Sequence, residues 1–250
     1  MPLRDLQTAL GSLLTAQAAG QTTVLPLGSL KLTAEERAWL AGLIGTPGFD
    51  VTCYIQRWWR ETKLRWTARL TLAAMGSELG AAMLKRYLDA TPISSLFFTP
   101  EALGFMDFAA REAAALPHVA EIAGFERALL IVKDAALQFV NESAEADQLS
   151  PNQQIAQHPA AALLELAAPP EELLGALITG HSLPPACAER FPILIAPGLP
   201  HLWRPATPDE MQLFIACQMT ATIASLHALV PGTERTLQLL LRVGALQRIA

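Results

Sequence analysis

Apolar residues recur every three to four positions through most of the first 140 residues, the spacing that gathers them on one face of a helix. The clearest stretch is 117–141, where Val119, Ile122, Ala123, Leu129, Leu130, Val132, Ala136, Leu137 and Val140 form a broad stripe. Helix starts are marked by chemistry as well as by spacing. Thr33-Ala34-Glu35-Glu36 has the order of a capping box, in which threonine and the glutamate three residues on satisfy each other's backbone amides. Thr99-Pro100-Glu101 puts proline at a first helical position, where its missing N–H costs nothing. Ser150-Pro151-Asn152-Gln153 and Thr207-Pro208-Asp209-Glu210 combine both devices. The pattern predicts helices over 3–18, 33–44, 50–74, 77–89, 100–115, 117–141, 151–157, 170–179, 208–227 and 233–242. The helix 117–141 is expected to pack against 77–89 and 100–115.

The pattern changes after residue 142. Asn141-Glu142-Ser143-Ala144-Glu145-Ala146-Asp147-Gln148 is small, polar and acidic, and reads as a linker. Short strand-like runs follow at Ala162–Ala167 and Phe191–Ala196, with a third candidate at Pro200–Arg204, all punctuated by proline. Helix then returns, Gly232-Thr233-Glu234 opens the last one, Gly244 ends it, and a short apolar tail runs through Ile249. Strands followed by a helix–turn–helix suggest a winged helix. The expected fold is therefore mainly α with a small α+β part: a helical domain over 1–142 and a winged-helix-like domain over 150–250.

Composition narrows the class. Hydrophobic residues make up 52% of 250 residues and charged ones 16%, which marks a folded chain. The net charge of −5 argues against a protein that lives by gripping nucleic acid. Cys53, Cys187 and Cys217 are scattered and odd in number, as expected of small buried thiols in a reducing cytoplasm. The N-terminus lacks the layout of a signal peptide. The charge-free run between Glu210 and Glu234 contains Gln212, Gln218, Thr220, Thr222, Ser225, His227 and Pro231, too polar for a membrane span. A soluble, cytoplasmic protein is expected.

Catalytic chemistry is hard to find. His118, His158, His181, His201 and His227 are not paired at ligand spacing, and CxxC, HExxH and EF-hand patterns are lacking. His118 and Glu121 share a helical face, but two groups make no metal site, and capping or surface roles fit them better. No GxSxG elbow, Walker loop or GxGxxG is present. Glu35-Glu36 and Glu171-Glu172 fall in first turns, where the helix dipole accounts for them. The chain is thus expected to have no catalytic residues, no metal site and no cofactor of its own.

One patch is anomalous in an acidic protein. Residues 51–70 carry Arg57, Arg60, Lys63, Arg65 and Arg69 against Glu61 alone, with Tyr54, Trp58, Trp59 and Trp66 interleaved. Tryptophan and arginine are enriched at protein–protein hot spots. Arg57, Trp58, Trp59, Arg60 and Trp66 are the candidate partner-docking residues; the alternatives are a core-facing tryptophan stripe with a solvated basic face, and nucleic acid. The second candidate is Phe191–Arg204. Its prolines point to a sheet edge, which can accept an extended peptide as an added strand. His201, Leu202, Trp203 and Arg204, beside Arg235 and Arg242 of the last helix, are the candidate peptide-binding residues. Trp203 as an ordinary core residue is the alternative.

The order of blocks resembles one family. Met83-Leu84-Lys85-Arg86-Tyr87-Leu88 is followed by Thr91-Pro92-Ile93-Ser94-Ser95-Leu96, then Gly104-Phe105-Met106-Asp107-Phe108, then Leu116-Pro117-His118-Val119-Ala120-Glu121-Ile122-Ala123-Gly124-Phe125-Glu126-Arg127-Ala128. With Trp58-Trp59-Arg60 ahead of them, these blocks resemble the helical region of the partner proteins of DUF692-type multinuclear non-heme iron oxidases. Those partners include HvfC-like, MbnC-like and TglI-like proteins, and the TglI-like branch, which serves 3-thiaglutamate biosynthesis, is the most similar. The resemblance implies a non-catalytic subunit that forms a heterodimer with the oxidase, binds a ribosomally made precursor peptide, and presents its cysteine for oxidative carbon excision. Any iron would belong to the partner subunit. Two rivals remain: a winged-helix DNA-binding regulator reading through 233–242, and a helical scaffold without peptide specificity. Residues 151–250 hold five arginines and seven acids, a poor phosphate footprint for the first.

Overall fold

The fold is taken from a computed structural model, which describes residues 3–21, 30–93, 98–139, 149–230, 232 and 234–249. The linker expected at 141–148, Val140 of the long apolar stripe and the helix-opening Thr233 lie outside the described residues. The fold is mainly helical with a small antiparallel sheet component, in two compact units, Met1–Glu112 and Ala113–Ala250.

The first unit contains α1 (Leu3–Ala18), α2 (Ala34–Leu43), α3 (Pro47–Thr67), α4 (Arg69–Met75), α5 (Ser77–Ala90) and α6 (Phe98–Glu112). The capping box at α2 forms as its spacing demands: Glu36 N–H donates to Thr33 Oγ1 at 3.1 Å, and Thr33 N–H to Glu36 Oε2 at 2.7 Å. α3 packs against α1, α5 and α6. Ala9, Leu13, Leu32, Leu40, Phe49 and Cys53 join α1, α2 and α3 in one apolar cluster. The single helix expected over 50–74 is two, because Ala68 leaves helical geometry at φ −115°, ψ 37°. Neither glycine nor proline marks that break.

The second unit opens with α7 (Val119–Ala136) and contains two three-stranded antiparallel sheets. One has the order β5-β1-β6, from β5 (Ala221–Thr222), β1 (Gln154–Gln157) and β6 (Leu246–Ile249); the other has the order β2-β3-β4, from β2 (Ala162–Leu166), β3 (Phe191–Ile195) and β4 (Trp203–Pro205). The helices α8 (Pro170–Thr179), α9 (Pro208–Ala216), α10 (Ile223–Leu229) and α11 (Glu234–Arg242) complete it. α9, α10 and α11, with β5 before α10 and β6 after α11, have the element order of a winged helix, and β1 supplies the middle strand. Ile155, Leu213, Phe214, Cys217, Ile223, Leu226, Leu237, Leu240 and Leu246 fill its core.

Several expectations are corrected here. α7 packs on β2 and β3, within the compact unit that begins at Ala113. Glu121 fixes it there: its carboxylate accepts Ala167 N–H at 3.0 Å and pairs with Arg190 at 2.6 Å. The helix expected over 151–157 is instead a turn, closed by Gln153 N–H on Ser150 O at 2.9 Å, followed by β1 at Gln154–Gln157. Pairing with β5 and β6 on its two sides overrides the local helix-start signal. The helix expected over 208–227 splits into α9 and α10, with Thr222 capping the second through Ser225 N–H at 3.2 Å. β3 is a central strand despite Pro192, not an edge. Pro192 stands opposite the end of β4, where Ala206 N–H donates to its carbonyl at 2.9 Å, so the donor that proline lacks falls where the ladder ends.

Cys53 and Cys217 are buried as expected, and burial raises both thiols above their usual range, Cys217 to about 11. Cys187 is exposed instead, its Sγ donating to Ala167 O at 3.1 Å. Among the described residues no helix is long and apolar enough to cross a membrane.

Candidate functional site

An ordinary surface helix hides its apolar face and shows its charges. α3 departs from this on one side. Trp58 and Trp66 are 54% and 70% exposed, whereas Arg60 and Lys63 are 4% and 3% exposed. Val51, Tyr54, Ile55 and Trp59 are also exposed, and their spacing along the helix continues the stripe that Trp58 and Trp66 extend. Trp58 and Trp59 stack with ring centroids 5.8 Å apart, and Lys63 Nζ lies 5.9 Å from the Trp59 ring.

The buried side of α3 is held by charge. Arg60 Nε donates to Glu101 Oε1 at 2.8 Å, and its Nη2 lies 2.6 Å from the same oxygen and 3.0 Å from Thr91 O. Glu101 is buried, and Tyr87 closes the pair: its ring lies under the Arg60 guanidinium, and its hydroxyl donates to Glu101 O at 3.3 Å. Burial, helped by the Glu101 charge, pushes the Tyr87 phenol up to about 12. Desolvation holds the Lys63 ammonium below its usual range. Arg57 pairs with Asp89 at 2.7 Å, and Arg65 with Glu61 at 2.7 Å.

Of the docking candidates, Trp58, Trp59 and Trp66 therefore share an exposed face, and Arg57 lies at a half-buried ion pair. Arg60 is corrected: its guanidinium is committed to Glu101 inside the unit and cannot meet a partner. The core-facing tryptophan stripe is overturned for the same reason. Val51 and Ile55 belong to the surface but carry neither charge nor aromatic ring, so a search for basic-aromatic composition passes over them.

The peptide-binding candidates are not brought together in the way expected. Trp203 is half-buried and meets Phe125 of α7 edge-on, 5.7 Å between centroids, so it serves packing. Arg204 is bound to Glu210 by two hydrogen bonds, one of 2.8 Å. Burial alone would raise the Glu210 carboxyl, but the bonds from Arg204 and Thr207 outweigh it and hold it below the usual range. β4 is an edge strand, yet Ala196 N–H bonds to Leu202 O and Ala206 N–H to Pro192 O, so Trp203 and Pro205 turn their backbone groups outward. Pro205 has no donor, and Arg204 Nη1 already occupies its carbonyl at 2.9 Å. Along β4, an incoming strand finds little to bond. His201 is exposed in the preceding turn, Leu202 sits in the left-handed region at φ 63°, and Arg235 is exposed on α11. Arg242 lines a cleft of about 620 Å³ that none of the other five candidates lines.

His118 caps α7 from a left-handed φ of 64° and is buried, with Nε2 2.9 Å from Pro184 O. Among the described residues no group of three or more histidines, cysteines or carboxylates is placed to hold a metal ion. His158 is half-buried, and desolvation holds its pKa below the usual imidazole value. Its Nδ1 accepts Ala160 N–H at 3.2 Å, which requires that nitrogen to be unprotonated. Because the folded state disfavours the proton, the stabilisation is fully present above the unfolded value near 6.5 and is lost as pH falls from there through the lower folded value. Thermal unfolding between pH 7.5 and 5.5 should show a loss of stability that His158→Gln diminishes; superimposable profiles would assign the loss to other groups. No known family model matches the sequence, and no curated protein matches it significantly.

Proposed function

We propose that this chain is a non-catalytic partner subunit that docks on a second protein through the exposed face of α3 and presents a precursor peptide to it. The inverted burial of α3 carries the reading. Water-exposed Trp58 and Trp66 on a helix that buries Arg60 and Lys63 are a standing cost unless another surface covers the tryptophans. Rigid aromatic side chains at the centre of an apolar face are the residues that dominate binding energy at protein interfaces. The resemblance of 57–130 to the partners of DUF692-type oxidases supports the identity of that surface: an iron-dependent oxidase that supplies the metal, while this chain supplies grip and geometry. Tethering a flexible peptide beside the iron raises its local concentration without new chemistry.

The test is co-purification with a co-expressed DUF692-type oxidase. Trp58→Ala combined with Trp66→Ala should weaken the complex at least about 100-fold, since hot-spot tryptophans are each worth about 2 kcal/mol. Helical content should be unchanged, because both rings are solvent-facing. A double variant that binds as tightly as the parent would end the docking proposal. A DNA-reading role has the winged-helix order and the exposed Arg235 and Arg242 in its favour. The seven acids of 151–250 oppose it, and duplex binding that steepens as salt falls would restore it.

A further inference from the structure

The sheet of β2, β3 and β4 has two margins, and the fold treats them differently. Pro205 and the Arg204 guanidinium close the one along β4. β2 forms the other, with β3 on one side and no strand on the opposite side among the described residues. The ladder fixes which groups face out. Pro192 O and Ala196 N–H bond towards β4, so Phe191, Ile193 and Ile195 bond towards β2, opposite Leu166, Leu164 and Ala162. The alternate residues Leu163 and Glu165 therefore turn their N–H and C=O groups outward. Among the described residues nothing bonds to them there.

The same margin is closed at both of its ends. Ala167 also faces out, but Glu121 accepts its N–H at 3.0 Å, and its carbonyl accepts Cys187 N–H at 2.8 Å and Sγ at 3.1 Å. Ahead of β2, Ala161 N–H turns back onto His158 O at 2.9 Å. Strand margins are ordinarily paired, covered or blunted, and this one is covered up to the two residues left open. The side chains at the opening are distinct. Leu163 is half-buried against the core of the second unit, whereas Glu165 is exposed and forms no ion pair among the described residues.

We propose that the open margin of β2 binds an extended peptide as an added antiparallel strand, with an apolar residue opposite Leu163 and a lysine or arginine opposite Glu165. Main-chain bonds to the sheet supply affinity in this mode, and the alternate side chains supply selectivity. Oppositely charged residues directly across a strand pair attract, and like charges there repel. That rule disfavours a second copy of this chain as the occupant. Antiparallel pairing of two β2 strands sets Glu165 against Ala161, Leu163 or the other Glu165, and none of these is a counter-charge. The inference deepens the peptide-presenting half of the proposed function and rests on that reading for the peptide's being a precursor; docking through α3 plays no part in it.

The full chain would be titrated with a labelled threonine peptide of seven residues, with lysine third and valine fifth. Antiparallel addition then sets the lysine against Glu165 and the valine against Leu163. The peptide should bind saturably and slow hydrogen exchange at the Leu163 and Glu165 amides. N-methylation of its valine should weaken binding about tenfold, the loss of a ladder hydrogen bond, while N-methylation of the fourth residue, whose N–H points away, should change little. Glu165→Lys should weaken the lysine peptide about fivefold and reverse the preference towards a glutamate-for-lysine counterpart. Glu165→Pro removes an N–H that the β2–β3 ladder does not use, so the sheet should stand while both peptides bind about tenfold more weakly. No saturable binding, equal losses at the two N-methyl positions, equal binding of the lysine and glutamate peptides by the parent chain, or indifference to both Glu165 variants would each overturn the proposal. A concentration-dependent dimer that Glu165→Pro abolishes would overturn it in favour of a second copy. The titration needs no oxidase, so its failure leaves docking standing, and loss of docking alone leaves the β2 margin standing.

Discussion

Glu101→Gln should destabilise the protein by about 3–5 kcal/mol, the largest effect expected of any single substitution here. The change is nearly isosteric, so it removes charge and leaves shape. Arg60 is then a buried guanidinium without the Glu101 charge, facing a neutral amide oxygen and Thr91 O, 3.0 Å away. Arginine cannot shed its proton to escape that burial. Replacing both partners, as Arg60→Met with Glu101→Leu, should recover most of the loss, because an apolar pair of similar volume incurs no such desolvation. Urea unfolding of the three variants measures this directly. A second readout is Tyr87: with the Glu101 charge gone, its phenol should titrate below its present value of about 12. If the single variant is as stable as the parent, Arg60 does not depend on Glu101 for its burial.

Gly244→Ala should cost about 2–5 kcal/mol, from two separable sources. Its φ of +66° penalises any L side chain by about 1–2 kcal/mol. A methyl there also meets Phe139 at 2.5 Å and Pro197 at 2.9 Å, and forcing extra volume into a packed site costs about 1–3 kcal/mol more. Gly180→Ala isolates the first source, since Gly180 has a φ of +73° but open space where its Cβ would go. The difference between the two variants measures how firmly Phe139 is seated. Equal losses would mean that the ring yields, and with it the floor of the cleft.

What could be read from the sequence was local. Thr33 and Thr207 announce their helices through capping boxes, and both boxes are formed. The apolar runs at 162–167 and 191–196 hold strands at Ala162–Leu166 and Phe191–Ile195. The failures are all tertiary. β1 and β5 are four and two residues long, too short for any period to declare itself, and exist through pairing with each other and with β6. α7 has an apolar stripe that fits a helix or a sheet equally well, and periodicity does not say which partner it meets. Composition found the anomalous region of α3 but had its faces reversed, since arginine and lysine are expected outside and tryptophan inside. Arg60 is buried because Glu101, forty-one residues on, reaches it, a pairing that local spacing cannot reveal. The cleft drew no attention because Gln138, His158 and Arg248 come from three separate segments.

The closed margin of β4 has a bearing on how the chain behaves when crowded. Bare strand margins invite self-templating, in which one molecule's ladder continues into the next and grows a fibre. With Pro205 withholding a donor and Arg204 folded back over the outward carbonyl, that route is blocked along β4. Pro205→Thr would restore the missing donor, and slow thickening of concentrated stocks is the penalty to anticipate from so small an edit.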